Sequence, residues 1–366
     1  MKAVIIDTFN YFEFRTKYVY DVLVSHGYEV TFLVSDFDHI SKTKINEIRK
    51  DTVFVDTKPY FKNISVARLK SHLNFSKQVY KKLCEIKPDL IYSLIPVNSL
   101  AKRVYKYKKK NHRIKVFFDI YDLWPESMPV GNSIKKLLFP WRNLRDKYLK
   151  CADKIFLECS YYKNFLPKNL NYTVAYLCKE RRDIDYRFDV NELRFLYLGS
   201  INNIIDIDGI VDFLQLIKNK RKVRLIIIGG GESEAVLTDK LDNAEIPFTN
   251  YGKIFDEEEK DKIISSCQFG LNMYKQGLSI GLTMKSLDYF CRGLPIINHN
   301  IYDTAKIIED LKCGINVDMP EISLLDINED TWNVIHQNVK KAYISYFSVD
   351  CYVKILAATI FSRGSN

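Results

Sequence analysis

The chain has 366 residues, of which 47% are hydrophobic and 27% charged, so it is a folded protein long enough for two domains rather than one. No apolar run approaches the ~18 residues of a membrane-spanning helix, and the first residues, MKAVIIDTFNYFEF, lack the features of a signal peptide. We therefore expect a cytoplasmic protein. None of the eight cysteines has CxxC spacing, which favours buried free thiols over a disulfide or zinc framework.

Charge is distributed unevenly along the chain, whose formal net charge is +10. Residues 1–182 contain 35 Lys and Arg and 18 Asp and Glu, a net charge of +17, whereas the remainder carries −7. A basic half suits anionic lipid headgroups, nucleic acid or phosphorylated substrates, but a merely solvated lysine-rich surface is the alternative. No recognisable nucleic-acid-binding module accompanies it.

The first half alternates short β-rich apolar runs with longer amphipathic stretches. The runs predict buried strands at Ala3–Asp7, Glu29–Ser35, Thr52–Asp56, Leu90–Leu94, Ile114–Ile120 and Lys154–Cys159. The stretches predict helices near Phe12–His26, Ile40–Lys50, Ser65–Ile86, Asn98–Lys110 and Ser133–Lys150. Strand and helix in alternation indicate a parallel sheet with crossover helices.

A charged stretch, Lys179–Glu192, reads as a linker, after which the same alternation restarts. Strands are predicted at Leu193–Leu198, Val223–Ile228, Phe248–Tyr251, Phe269–Tyr274, Pro295–Asn298 and Gly314–Val317. Helices are predicted near Ile207–Lys218, Glu232–Leu241, Glu257–Ser265, Thr283–Arg292 and Asp303–Leu311. We expect an N-terminal Rossmann-like domain over 1–180, a second over 193–328, and C-terminal helices over 329–366 that pack back on the first.

The fold class is therefore α/β, with two doubly wound domains facing a cleft. Ligands of such sheets bind beyond the carboxyl ends of the strands, which makes the cleft the expected site.

Two glycine-containing segments follow strands in the second domain. LIIIGGGE at Leu225–Glu232 runs from a strand into a helix, a geometry that suits phosphate but is equally typical of simple packing. GLSIGLTMKSLDYFCRGLP at Gly277–Pro295 predicts a helix whose first amides are free to hold a diphosphate. Lys285 and Asp288 share one face of this helix, as phosphate and ribose ligands or as an ordinary surface pair.

Two segments stand out in the first domain. DIYDLWPES at Asp119–Ser127 places carboxylates at a strand end, where Asp122 suits a sugar hydroxyl or leaving group; alternatively Asp122 caps a turn and Trp124 packs under the loop. The stretch Ser133–Lys150 mixes aromatics with six basic residues, which suits a helix at an anionic membrane surface. A helix packed into the domain is equally compatible, and Pro140 is expected to break it in two.

Together these segments resemble family 4 glycosyltransferases of the GT-B fold, particularly the bacterial branch that builds capsules, exopolysaccharides and O-antigens. DLWPES and the block Thr283–Ile297 carry the resemblance most specifically. YLGSI at Tyr197–Ile201, IIIGGGE, and YGKI at Tyr251–Ile254 fall in the family's order and spacing, so the resemblance covers nearly the whole chain.

The resemblance implies a cytoplasmic, peripheral membrane hexosyltransferase that retains anomeric configuration and uses no metal or cofactor. It would move sugar from a UDP- or GDP-linked donor to a polyprenyl-diphosphate-linked saccharide in surface polysaccharide biosynthesis. The implied catalytic residues are Asp122 and Lys285. The implied donor-binding residues are Gly199, Ser200, Gly230, Tyr251, Lys253, Ile254, Leu282, Thr283, Met284 and Asp288. The predicted membrane or acceptor surface consists of Lys135, Lys136, Trp141, Arg142 and Arg145.

The sequence departs from the family's pattern at several positions. Ile280 aligns with the first of two Glu in the usual motif, and Asp288 replaces the second. The Arg and Lys that often neutralise the diphosphate are missing from SINNIIDIDG, so Lys285 is expected to supply part of that charge, and Arg15 in the first loop is a candidate to face the phosphates. These departures favour, as an alternative, a catalytically inactive GT-B subunit that activates a partner transferase. An NAD-dependent oxidoreductase is disfavoured because the first strand lacks a glycine fingerprint.

Overall fold

The computed structural model describes residues 1–9, 13–128, 130–278, 280–317 and 327–361. It divides into two compact units. The first contains Met1–Leu177 together with the residues from Tyr352 onward, and the second contains Cys178–Cys351. Each unit is built on a parallel β-sheet with crossover helices, as the alternating apolar pattern predicts.

The first unit contains a seven-stranded parallel sheet. Its strands are β1 (Lys2–Asp7), β2 (Glu29–Ser35), β3 (Thr52–Val55), β4 (Leu90–Ile95), β5 (Lys115–Ile120), β6 (Lys154–Leu157) and β7 (Tyr172–Val174), in the order β3-β2-β1-β4-β5-β6-β7. Its helices include α1 (Glu13–Ser25), α2 (Val66–Ile86), α3 (Asn98–Lys110), α4 (Asn132–Leu137) and α5 (Phe139–Leu149). The central strands β1, β4 and β5 are almost entirely buried, as expected where helices cover both faces of a parallel sheet.

The second unit contains a six-stranded parallel sheet. Its strands are β8 (Glu192–Ser200), β9 (Lys222–Gly230), β10 (Phe248–Asn250), β11 (Phe269–Met273), β12 (Ile296–His299) and β13 (Gly314–Asn316), in the order β10-β9-β8-β11-β12-β13. Its helices are α6 (Ile207–Lys218), α7 (Glu234–Asn243), α8 (Glu257–Ile264), α9 (Met284–Arg292), α10 (Tyr302–Leu311) and α11 (Glu329–Ala342).

The structure of the first unit differs from the sequence predictions in two places, a predicted helix that does not form and a strand that was not predicted. Ile40–Lys50 forms no helix: the Asp38 carboxylate accepts hydrogen bonds from the amides of Ile40 and Ser41, at 2.7 and 2.6 Å, and stabilises a turn instead. Lys42 then adopts the left-handed conformation, with φ of 60°. The edge strand β7 was not predicted from the sequence, because its three residues are too few to show a periodic pattern. Phe12, where the first helix was expected to begin, lies outside the described residues.

The C-terminal segment 329–366 does not pack back on the first domain as a whole. The α11 residue Trp332 is buried in the core of the second unit, where its indole N–H donates to the Gln268 carbonyl at 2.8 Å. Only the later part of α12 (Val349–Phe361) belongs to the first unit, in which Tyr352 and Leu356 are buried. The segment is split between the two units because the buried residues of α11 belong to one core and those of α12 to the other. Residues 362–366 of this prediction lie outside the described residues.

One stretch of the described residues, Glu329–Phe361, is long and apolar enough to cross a membrane by length and composition alone. It comprises α11, a π-helical turn at Tyr343–Phe347 and α12. The Phe347 ring is buried and stacks on Phe290 with centroids 4.6 Å apart. Because each part contributes side chains to a core, the stretch is a packing element of the fold.

Candidate functional site

The carboxyl ends of β8 and β9 meet in register in the second unit. Gly199 pairs with Gly229, and Ser200 pairs with Gly230. Gly199 and Gly229 have φ of 107° and 155°, a region that favours glycine. A Cβ on Gly229 would lie 1.9 Å from the Gly199 carbonyl oxygen, so this glycine serves close backbone packing. The Cβ position of Gly199 is open and meets only Lys285, whose Cε would be 4.0 Å away.

A pocket of about 370 Å³ opens at these strand ends. Six of the ten predicted donor-binding residues line it: Gly199, Ser200, Gly230, Lys253, Ile254 and Asp288. Eight further residues that were not predicted also line it: Lys179, Leu198, Ile228, Gly229, Phe255, Glu257, Lys260 and Arg292. With four basic and two acidic side chains, the pocket favours an anionic ligand. Its size is within the range of small-molecule sites.

Lys285 is a buried cation beside this pocket. Among the described residues its Nζ atom has no hydrogen-bond partner. It lies 3.6 Å from the ring centroid of Tyr197 and 5.3 Å from that of Tyr274. Burial lowers the pKa of Lys285 to about 7. A buried ammonium held only by aromatic rings is costly unless an anion joins it, so Lys285 can stabilise phosphate charge brought close to Gly199.

The start of α9 is fixed by a polar network. Thr283 caps the helix by accepting from the Ser286 amide at 2.9 Å, and its hydroxyl donates to Asn272 at 2.9 Å. Its side chain is therefore committed to structure. Leu282 is half-buried and Met284 is exposed, and neither lines the pocket. What this helix start offers a ligand is backbone N–H groups and the positive end of its dipole.

Asp288 is held in an ion-pair network at the pocket edge. Its carboxylate contacts the Lys179 ammonium, and it lies 3.1 Å from Arg292 Nη1. Arg292 in turn pairs with Glu257 and, at 2.8 Å, with Asp261. The alternative of an ordinary surface pair between Lys285 and Asp288 is therefore wrong, because Asp288 pairs with Lys179 and Arg292 while Lys285 is buried against aromatic rings.

Glu257 begins α8 and lines the same pocket. Partial burial acts to raise its pKa, but hydrogen bonds and charge from Lys260 and Arg292 outweigh it and lower the pKa of Glu257 to about 2. Glu257 is therefore an anion throughout the neutral range, and it holds Arg292 in place. The sequence signal that could have identified Glu257 as a pocket residue is the acidic run that starts directly after YGKIFD.

The segment after β10 forms the outer wall of the pocket. Ile254 and Phe255 line it, and the Phe255 side chain is 84% exposed, so one ring face is free for a planar ligand. Tyr251, in contrast, does not line the pocket. Of the segment Tyr251–Ile254 predicted to line a base pocket, Lys253 and Ile254 line this pocket, and Phe255 extends its wall.

In the first unit, Asp122 and Arg15 each have a hydrogen-bond partner within the protein. The Ser127 hydroxyl donates to the Asp122 carboxylate, and burial raises the pKa of Asp122. Arg15 is fully buried and forms two hydrogen bonds of 2.7 Å with Asp119. The prediction that Arg15 faces phosphates is wrong, because its guanidinium is already neutralised inside the first unit.

The segment of α4 and α5 divides into an exposed and an inward side. Lys135, Lys136, Phe139 and Arg142 line an open pocket of about 530 Å³, together with Pro125 and Glu126. Leu137 and Phe139 are 79% and 56% exposed. We call Lys135, Lys136, Leu137, Phe139 and Arg142 the basic–apolar patch. It retains the composition of an interfacial membrane surface.

Arg145 and Trp141 do not belong to that surface. The Arg145 guanidinium is buried and bonds to Glu126 at 3.0 and 3.1 Å. The Trp141 ring is half-buried, with its centroid 6.2 Å from that of His72. The helix break falls at Leu138, two residues before Pro140, because proline is accommodated in the first turn of α5.

The resemblance implies an enzyme that uses no metal. In the part of the chain that the structure describes, no group of three or more His, Cys, Asp or Glu side chains is arranged to hold a metal ion.

Comparisons with known proteins bear on the second unit and on the fold. Residues 192–324 match the family model described as Glycosyl transferases group 1. The sucrose-phosphate synthase of Thermosynechococcus elongatus has a TM-score of 0.69 and 10% identity, over 97% of this chain and 96% of that one. The chain has the GT-B fold. No curated protein sequence matches it significantly.

Two further structures share this GT-B fold. The apo form of the lipopolysaccharide outer core galactosyltransferase WaaB has a TM-score of 0.64 and 17% identity, over 99% of each chain. Anabaena Alr3699/HepE in complex with UDP and glucose has a TM-score of 0.62 and 12% identity, over 98% of this chain and 99% of that one. The group 1 match covers all of the pocket-lining strand ends, and also Lys285.

Proposed function

We propose that this GT-B chain is a retaining glycosyltransferase. It transfers a hexosyl group from a UDP- or GDP-linked donor to a polyprenyl-diphosphate-linked saccharide, in capsule or exopolysaccharide biosynthesis at the cytoplasmic face of the membrane. The observation that carries the proposal is Lys285, a buried cation beside the open Gly199 turn, within the segment that matches group 1 glycosyltransferases.

The donor diphosphate would lie against Gly199 and Ser200. Without a Cβ at Gly199, a phosphate oxygen can approach the backbone closely. Negative charge grows on the diphosphate as the sugar–oxygen bond breaks, and Lys285 with the amides at the start of α9 would stabilise it. A lysine and backbone N–H groups provide this charge without a divalent cation, which is the basis for expecting metal-independent transfer.

The nucleoside would occupy the outer part of the pocket. Phe255 offers a ring face to the base, and Ile254 lines the same wall. Asp288 would accept a hydrogen bond from a ribose hydroxyl while Lys179 and Arg292 fix its carboxylate. These contacts bind the leaving group in a defined orientation, which is the protein's main contribution to the transfer step.

The acceptor side of the proposal draws on the first unit. Asp122 would accept a hydrogen bond from a sugar hydroxyl at the carboxyl end of β5. The basic–apolar patch would hold the protein at anionic lipid, where the polyprenyl-diphosphate acceptor is found. Support comes from WaaB, described as a galactosyltransferase of the lipopolysaccharide outer core, and from HepE, which was captured with UDP and glucose.

The test is to incubate the full chain with UDP-, GDP- and TDP-sugars and a polyprenyl-diphosphate-linked saccharide. We expect release of one nucleoside diphosphate and a product heavier by one sugar, with the anomeric configuration of the donor retained by NMR. Transfer should persist in EDTA. Turnover that is unchanged in Lys285→Met would contradict the assigned site. The control variant Lys306→Met, at an exposed position, should retain turnover.

A second candidate is a catalytically inactive GT-B subunit that binds and activates a partner transferase. It is favoured by Ile280, which packs against the apolar core where the family usually has a Glu. Nucleotide binding without turnover by the isolated chain, followed by turnover on addition of a second transferase, would decide for this candidate.

A further inference from the structure

Six side chains gather at the carboxyl ends of four strands of the first unit. They belong to the loops after β1, β2, β3 and β5 and to the first two turns of α2: Phe9, His39, Tyr60, Arg68, His72 and Trp124. We call them the aromatic–arginine cluster. The carboxyl edge of a parallel sheet is where ligands of doubly wound folds bind.

The rings of this cluster enclose the Arg68 guanidinium. Its Cζ atom lies 4.3 Å from the ring centroid of Trp124, 5.6 Å from that of Phe9 and 5.5 Å from that of Tyr60. The His72 ring is nearly parallel to Trp124, at 18° and a centroid distance of 5.9 Å. The Arg68 guanidinium and the His72 imidazole thus both pack against the Trp124 ring.

Several polar atoms here are buried without a partner in the described residues. They are Arg68 Nε, both ring nitrogens of His72, and Asn98 Oδ1. His72 is 2% exposed and Arg68 is 7% exposed. Buried polar groups without hydrogen bonds are rare, since each costs about 1–3 kcal/mol. Several of them in one region provide hydrogen-bonding groups that a polar ligand can pair with.

The positive charge of Arg68 indicates which chemical group the cluster can bind. Arg68 donates from Nη1 to the Asn63 carbonyl at 2.8 Å, and it also interacts with Tyr60 and with the charge of Asp122. No carboxylate of the described residues lies within ion-pair distance of it. Burial, and the charges of Arg68 and His39, lower the pKa of His72 well below its ordinary value, so this imidazole is a neutral hydrogen-bonding group. A guanidinium without an ion-paired carboxylate among the described residues presents donors that match a carboxylate or phosphate.

We propose that the aromatic–arginine cluster binds an anionic saccharide, with Arg68 as the ion-pair partner of its carboxylate or phosphate. The aromatic faces contact the sugar ring, while His72 and Asn98 take up its hydroxyls. The inference rests on the proposed function in one respect: the bound saccharide is the acceptor, which carries an acidic sugar residue.

Calorimetry on the full chain at low salt tests the proposal with glucuronate, glucose 6-phosphate, inorganic phosphate and methyl glucoside. We expect at least one anionic sugar to bind about tenfold or more tightly than methyl glucoside and inorganic phosphate, because charge-assisted hydrogen bonds add to the ring contacts. Comparison of glucuronate with glucose 6-phosphate identifies the acid. Arg68→Gln should weaken this binding about tenfold or more. Lys81→Gln, at an exposed position of α2, should leave it unchanged.

Equal affinity of Arg68→Gln and the natural chain for the anionic sugar would overturn the inference, as would equal binding of methyl glucoside. If melting shows that Arg68→Gln is unfolded, His72→Phe serves instead, since it keeps the ring stacking and should lose about tenfold in affinity. UDP binding in the same samples reports on the second unit separately. Anion binding without any nucleotide-sugar turnover would remove the proposed function and leave this site standing.

Discussion

Replacing Lys285 with Met should make the protein more stable and bind its donor more weakly. The pKa of Lys285 falls from its ordinary value of 10.5 to about 7 in the fold. The unfolded chain therefore binds an extra proton between these values, and the stability of the natural chain rises with pH across that window. At pH 7 a pKa lowered from 10.5 to about 7 corresponds to about 4 kcal/mol of unfolding free energy lost.

Lys285→Met should therefore gain about 4 kcal/mol in unfolding free energy, or about 8–16 °C in the melting temperature of a unit of this size. Its affinity for a nucleotide sugar should fall about 10- to 150-fold, the value of a charge-assisted hydrogen bond of about 1.5–3 kcal/mol. In the natural chain the affinity should also fall about tenfold from pH 6 to pH 8, because only the protonated lysine is competent. Lys285→Met should lose this dependence.

Differential scanning calorimetry measures the first effect, and titration calorimetry with the tightest-binding nucleotide sugar of the panel measures the second. A nucleotide sugar is the right ligand because its diphosphate diester does not titrate between pH 6 and pH 8. Lys306→Met is the matched control, since Lys306 is an exposed lysine of the same unit. Unchanged affinity and pH dependence in Lys285→Met would refute the role given to this side chain.

Three further predictions concern other parts of the chain. Arg15→Met should destabilise the first unit by about 3–5 kcal/mol in urea unfolding, because it leaves Asp119 buried and unpaired; a milder effect would contradict the buried ion pair. Changing Lys135, Lys136 and Arg142 to Glu should reduce sedimentation with anionic phospholipid vesicles about 100-fold or more while UDP binding persists, and equal binding to neutral vesicles would exclude the electrostatic account. Glycosyl transfer should survive EDTA, and its loss with recovery on adding manganese would show a metal requirement.

The two parallel sheets could be predicted from the sequence because buried strands leave a local signature. Runs such as LRFLYLGS at β8 and VRLIIIGG at β9 are short, apolar and bounded by polar residues, and the glycine turns end them where the pocket opens. The helix start at Thr283 was equally local, since a capping hydroxyl and a terminating Gly293 lie within one short segment.

The side-chain partners could not be predicted, because they lie far apart in the chain. Arg15 is neutralised by Asp119, 104 residues away, and Asp288 is held by Lys179, 109 residues away. Arg145 has the same amphipathic context as the exposed Arg142, yet Glu126 draws it into the interior. Composition gives the charge of a segment, but only the fold decides which charges pair and which remain available to a ligand.

The most direct test of the donor site is a crystal structure of the chain with a nucleoside diphosphate. We predict diphosphate density beside Gly199, with a phosphate oxygen about 3 Å from Lys285 Nζ, and the base on the Phe255 side of the pocket. A nucleotide bound elsewhere, or one bound here with the Lys285 ammonium still enclosed only by the rings of Tyr197 and Tyr274, would contradict the account.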